Sequence, residues 1–199
     1  MSLDLAAANY TIQGLKPFPV AITTNDGGRL NGLMSLSAAA GGIIPEAPRM
    51  TISITKYNHT HDMIVSSGVF CMHLLGNDPD IIDASLDILM TLGGSSGRDG
   101  DKISGLKTKE GVTGCPVLLD SLSYAECRVV NSMDADENTI FLADIVHSER
   151  LRKGGRLNVG EAWSKLPPEW IAQYDANHAP QMNHCRKMRG LPIPTDGGH

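Results

Sequence analysis

Alternation of apolar and polar positions reads most of the ordered segments of this chain as strands. Residues 19–24 (PVAITT) are apolar and β-branched, and Asn25-Asp26-Gly27-Gly28 is strong turn chemistry. Residues 29–37 (RLNGLMSLS) read as the return strand of a hairpin. In residues 49–56, Met50, Ile52 and Ile54 share one face, while Thr51, Ser53 and Thr55 share the other. Thr60 reads as the N-cap of a short helix over 61–67, stopped by Gly68, and 69–75 (VFCMHLL) as a further strand. Asp78-Pro79 predicts a helix start, and the helix runs to Leu92 with Ile81, Ile82, Ser85, Leu86 and Leu89 as its buried stripe. Residues 95–114 are polar and glycine-rich and read as a long loop. Residues 123–133 and 139–151 predict two long strands joined by the acidic turn 134–138. Beyond Gly160 the pattern weakens to a short helix over 169–174 and a loose tail rich in His, Pro and Met.

Some six strands with only short helices between them predict a mainly β fold, an antiparallel barrel or sandwich. Crossover helices are too few for a doubly wound parallel sheet. The 199 residues suit one core, and with aromatics at 5% that core relies on Ile, Leu, Val, Met and Ala.

A net charge of -5 argues against general nucleic-acid binding, yet it permits a local basic pocket for a small anion. The four cysteines show no metal or C-x-x-C spacing, so no metal site is expected. Residues 1–9 lack the basic start and apolar run of a signal peptide, and no stretch approaches the ~20 apolar residues of a membrane helix. A reducing cytoplasm is the expected location, with no membrane partner.

Three segments have chemistry worth weighing. Asn31, Gly32, Leu33, Met34, Ser35, Leu36, Ser37, Ala38 and Ala39 form a run of small and hydroxyl-bearing residues at a strand end. Such a run lets a flat ligand lie against the backbone, although composition alone favours a tight strand-to-loop turn with packed serines. Lys56, Tyr57, Asn58, His59 and Thr60 lead into a helix, whose free N–H groups suit a phosphate. The plainer reading is an ordinary capped helix. Ser95, Ser96, Gly97, Arg98, Asp99, Gly100, Asp101 and Lys102 combine exposed backbone donors with two cations, or form a solvated loop.

The order and spacing of these segments are more specific than any one of them. The chain resembles the flavin reductase-like family of FMN-binding split barrels over roughly residues 14–146. The resemblance is carried by PVAITT, NGLMSLSA, KYNHT, SSGVFCMHLLG, SGRDGDK and GCPVLLDSLSYAECRV. It implies a six-stranded Greek-key split β-barrel with flanking short helices over 1–155. A C-terminal extension over 156–199 would pack on the barrel or on a dimer partner. It implies a homodimer with FMN near the interface and NAD(P)H as a candidate co-substrate. Residues matching Leu33, Met34, Ser35, Leu36, Ser37 and Ala38 would face the isoalloxazine ring. Lys56, Asn58, His59 and Thr60 would lie near the ribityl chain and phosphate. Ser96, Gly97, Arg98 and Lys102 would hold the phosphate or pyrimidine end. Hydride chemistry would belong to the flavin, so no protein catalytic residue is assigned.

One departure bears on activity. Many reductases of the family carry Gly-Asp-His at the turn before the last long strand, and here the turn reads Asp136-Glu137-Asn138. The missing histidine weakens the case for NAD(P)H reduction more than that for FMN binding. It leaves open an electron-transfer flavoprotein, flavoredoxin-like and reduced by a protein partner. A split barrel for another planar ligand such as haem, or a bare scaffold, is the remaining alternative. His73 reads as a satisfied structural histidine, Cys71 and Cys127 as small core residues, and His178 and His184 as scattered histidines of the tail.

Overall fold

The computed structural model describes residues 4–16 and 18–194. In chain order the elements are α1 (Leu5–Gly14), β1 (Val20–Asp26), β2 (Arg29–Ser35), β3 (Ala38–Ala40), β4 (Arg49–Thr55), α2 (His59–Ser67), β5 (Val69–Leu74), α3 (Ile82–Gly93), β6 (Thr108–Glu110), β7 (Pro116–Leu118), β8 (Ser123–Ala135), β9 (Asn138–Arg150), α4 (Val159–Lys165) and α5 (Pro168–Met188). The main sheet is antiparallel, in the order β2-β1-β5-β8-β9-β4-β3, and β6 pairs with β7 apart from it. No helix among the described residues is long and apolar enough to cross a membrane.

The sheet's two edges, β2 and β3, are joined by only Leu36 and Ser37. Three peptide units span at most roughly 11 Å, so the sheet must curl until its edges nearly meet. They do not pair, and a split remains between them. The seventh strand is the short β3, whose Ala38-Ala39-Ala40 has no alternation to betray it in the sequence.

Local chemistry explains the hairpins. Gly27 and Gly28 take φ of 60° and 90°, giving the two-residue turn that matches strand twist, and Gly28 N–H donates to Asn25 Oδ1 at 2.8 Å. The two long strands extend further into the acidic turn than the sequence predicts. Ala135 pairs with Asn138, and Asp136 sits at φ 56°.

Residues of β1 point alternately into two cores. Val20 and Ile22 join Leu33, Ile52, Ile54, Phe70 and Phe141 inside the barrel, with Ile64 of α2 packed among them. Ala21 faces outward to Leu86, Leu89 and Leu92 of α3 and to Leu157, Ala162 and Leu166 around α4. The predicted stripe of α3 is buried except Ile82, with Ile88 and Leu92 added. The helix starts three residues later than Asp78-Pro79 predicts, with Ile81 in place of Asp78 at the cap. Asp78 O accepts from the N–H groups of Ile81 and Ile82, and its carboxylate binds Gly155 N–H at 2.9 Å. The cap is thus spent on a loop contact.

His73 and Cys71 are fully buried. His73 accepts from Leu118 N–H at 3.0 Å through Nε2 and faces Ala21 O at 3.2 Å through Nδ1. Burial pushes its pKa down to about 4, so the ring is neutral with both nitrogens partnered.

The largest departure is the tail. In place of a short helix over 169–174, α5 runs for 21 residues. Pro180 lies inside it, and its mean pattern is polar, which conceals a helix lying over other elements.

Candidate functional site

A cleft of about 690 Å³ opens at the split, within the ~300–1,000 Å³ of small-molecule sites. The end of β2 and the β2–β3 link form its floor with the end of β4. Its remaining walls are the start of α2, the C-terminal end of α3 with the loop after it, and one face of α5. Four segments distant in sequence therefore meet at one place.

Most predicted residues gather here. Leu33, Met34, Ser35, Leu36 and Ser37 line the cleft, as do Asn58, His59, Thr60, Ser96, Gly97, Arg98 and Lys102. Two do not. Ala38 opens β3, pairs with Ile52 and packs on the barrel core. Lys56 turns to Asp134 across the β8–β9 hairpin, with Nζ 2.6 Å from Oδ1.

The strand end is set by hydrogen bonds of its own hydroxyls and backbone. Ser35 Oγ accepts from Ser37 N–H at 3.1 Å, and Ser37 O accepts from Ser53 N–H at 3.1 Å. This fixes the turn that leads β2 into β3 while leaving the link's backbone beside the cleft.

The helix start differs from its prediction. Asn58, not Thr60, is the N-cap of α2, and its side chain makes no capping bond. His61 N–H already donates to Asn58 O at 3.0 Å, so the N–H groups of His59 and Thr60 are what this end of α2 offers as donors, with partial positive charge. Thr60 is inside the helix and buried, where Oγ1 accepts from Asn31 Nδ2 at 3.1 Å.

Cations cluster at the same end. Arg98 donates to Tyr57 O at 2.8 Å and to Asp62 Oδ2 at 3.0 Å, which ties the 95–102 loop to α2. Arg29 Nη2 lies 3.1 Å from His59 Nε2. Burial, then the Arg98 and Arg29 charges, hold the His59 pKa below its ordinary value, so the ring accepts from Arg29. Lys102 Nζ donates to Leu92 O at 2.8 Å and Ser95 O at 2.9 Å. Burial pushes this amine down to about 8. It caps the end of α3 and shapes the loop, with little donor capacity left for a ligand.

Asn31 and Gly97 meet between these walls. A Cβ on Gly97 would collide with the Asn31 amide. Asn31 is buried, and its Oδ1 has no hydrogen-bond partner. Thr60 Oγ1 can accept or donate, so the amide can turn either an oxygen or an NH₂ towards a ligand.

The wall from α5 is the part that the sequence reading did not assign. Tyr174, Asn177, His178 and Gln181 line the cleft, and Lys16 lies beside them. His184 packs against Tyr57, with ring centroids 5.4 Å apart and the rings tilted by 53°. The available signal was the four-residue spacing of Trp170, Tyr174 and His178, which places three rings on one helical face.

The comparisons with known proteins agree with this architecture. Residues 15–158 match the family described as the flavin reductase like domain. High molecular weight rubredoxin of Moorella thermoacetica is 29% identical over 134 residues, 67% of this chain and 56% of that protein. The chain thus spans little more than half of that relative's length. The FMN-binding protein of Thermus thermophilus, solved with 1-cyclohex-2-enone, has a TM-score of 0.59 at 20% identity, covering 68% of this chain and 71% of its own. The NADH:FAD oxidoreductase SgcE6 of Streptomyces globisporus C-1027 has a TM-score of 0.60 at 17% identity, covering 79% and 90%. Both structures share the fold, and the family match spans the strands, α2 and α3 that build the cleft. On that match the chain belongs to the flavin reductase-like domain family.

Proposed function

We propose that the protein is an FMN-binding oxidoreductase whose flavin lies in the cleft at the split. The observation that carries this reading is the buried Asn31 amide, with an unpartnered atom, set against a glycine that leaves no room for a side chain. A buried polar atom without a partner is costly, and a ligand with both donors and acceptors along a flat edge would relieve it.

The residues present fit the group. Leu33 and Met34 supply apolar surface near the split, and the Leu36–Ser37 backbone supplies polar groups for a ring edge. The uncapped start of α2 and Arg98 suit a dianionic phosphate. Arg29, held by the neutral His59 ring, lies next to that point and adds positive potential. Bound flavin supplies hydride and single-electron transfer. The chain's own part is to bind, orient and shield: Lys102 fixes the loop, Asn31 reads the ligand edge, and α5 limits water access from one side.

The favoured version takes hydride from NAD(P)H. The test is the absorbance spectrum of the purified protein, chromatographic identification of the bound flavin, and anaerobic mixing with NADH and NADPH. FMN that bleaches with either supports the reading. A protein that binds no FMN in a quenching titration, or binds FAD in its place, overturns it.

A second version is an electron-transfer flavoprotein reduced by a protein partner. The turn before β9 favours it. Asp134 is held by Lys56 and Glu137 lies 3.7 Å from Arg189, with no histidine in the turn. Stoichiometric FMN that resists NAD(P)H but accepts electrons from a ferredoxin-like donor is its signature. A homodimer belongs to either version. Exposed Val130, Met133 and Val146 on β8 and β9 offer an apolar face for it, and light scattering measures the mass.

A further inference from the structure

Across the cleft from Arg98 and the start of α2, the wall from α5 carries a single cation among the described residues, Lys16. Lys16 and His178 both line it, and Lys16 pairs with no carboxylate among the described residues. Burial holds the His178 pKa below its ordinary value, the neighbouring Asp175 carboxylate opposes that shift, and the Lys16 charge adds to it, so Lys16 lies within electrostatic reach of the ring. The imidazole is therefore neutral near pH 7 and offers a ring face with one donor and one acceptor.

His178 is held by a rigid support. Trp170 stacks on Tyr174 at 5.2 Å and 20°, and Tyr174 meets His178 at 5.2 Å and 36°. The tower is pinned to α3 by Trp170 Nε1 donating to Met90 O at 3.3 Å and by Asn177 Nδ2 donating to Gly94 O at 2.9 Å. Gln181 lies on the same wall one turn on. Ala176 lines it too, and its carbonyl has no helical donor, because Pro180 stands four residues later without an N–H. The wall thus presents a flat ring, a cation with no ion pair among the described residues, a side-chain amide and a backbone acceptor. That set is complementary to a flat molecule with a carboxylate at one end and a hydroxyl at the other.

We propose that the wall formed by Lys16, His178 and Gln181 is a subsite for a small planar organic acid, an aromatic or conjugated monocarboxylate, held beside the flavin as its second substrate. The proposal rests on the flavin reading of the cleft. Lys16 pairs with the carboxylate, the His178 ring stacks on the conjugated system, and the Ala176 carbonyl accepts from a hydroxyl.

The test compares 4-hydroxycinnamate with 4-hydroxycinnamyl alcohol, which differ in the charge. FMN-loaded protein is titrated with each, read by flavin difference spectra and by calorimetry. The acid binds about tenfold more tightly, the size of one charge-assisted contact, and it perturbs the flavin band. Lys16→Met removes the preference, His178→Leu weakens both probes, and Lys153→Met at an exposed lysine changes nothing. Equal binding of acid and alcohol, a preference that survives Lys16→Met, or no binding of either probe overturns the proposal. FMN affinity is measured first on the same samples. If FMN fails to bind, the flavin reading falls, and calorimetry on the flavin-free protein decides the acid subsite by the same comparison.

Discussion

Gly97 is packed so closely on Asn31 that a side chain at residue 97 would strike its amide. The backbone φ of Gly97 is not in the left-handed region, so space and not conformation selects glycine here. Gly97→Ala is expected to push the amide aside and lower FMN affinity about tenfold, the value of one hydrogen bond with a ligand. A quenching titration measures it, and unchanged affinity would remove Asn31 from the site. The thermal midpoint should also fall, because the displaced amide is buried and its bond to Thr60 is strained.

Arg98 offers a sharper test of the phosphate end. Arg98→Ala removes a guanidinium tied to Tyr57 O and Asp62 at the start of α2. FMN affinity should fall roughly 10- to 100-fold, while riboflavin affinity barely changes. Equal losses for both ligands would mean that Arg98 only holds the loop.

His73 makes stability depend on pH in a defined window. The unfolded chain takes up this proton below about 6.5, whereas the folded protein resists until about 4. The unfolded state therefore binds more protons between those values, and stability rises with pH across them. The contribution is fully present above pH 6.5, and about 3 kcal/mol of it is lost by pH 4. Urea unfolding between pH 4 and 7 should show a steeper slope for the wild type than for His73→Gln, whose absolute stability is lower.

Trp170 holds α5 against the end of α3, close to Gly93 and Gly94. Trp170→Ala should release the helix locally at a cost of about 2 kcal/mol, from partly buried aromatic area. Hydrogen exchange should quicken across 168–188 while β5, β8 and β9 keep their protection. A uniform loss across the barrel would show that α5 is part of its cooperative unit.

Much of the barrel was legible in the sequence because its strands obey local rules. The Met50, Ile52 and Ile54 alternation, the Gly27-Gly28 turn and the α3 stripe each state their own geometry. Elements fixed by distant contacts were not legible. Ala38-Ala39-Ala40 becomes a strand only because β4 lies beside it. Asp78 looks like a cap until Gly155 claims its carboxylate. The site divides in the same way. Leu33 to Ser37 and Asn58 to Thr60 are neighbours in sequence and declare themselves, whereas Lys56 is diverted by Asp134 and α5 arrives from far along the chain. Pro180 argues against a helix on propensity, and packing over α3 outweighs it.

The link of Leu36 and Ser37 between the two sheet edges has a further consequence. The same two residues set how far the barrel can spread and form the floor of the cleft. Loop length here is a size gauge: an insertion would widen the seam and the seat together, and a deletion would shut both. Relatives that vary in ligand size are therefore expected to keep this link constant and to vary the walls, α5 foremost.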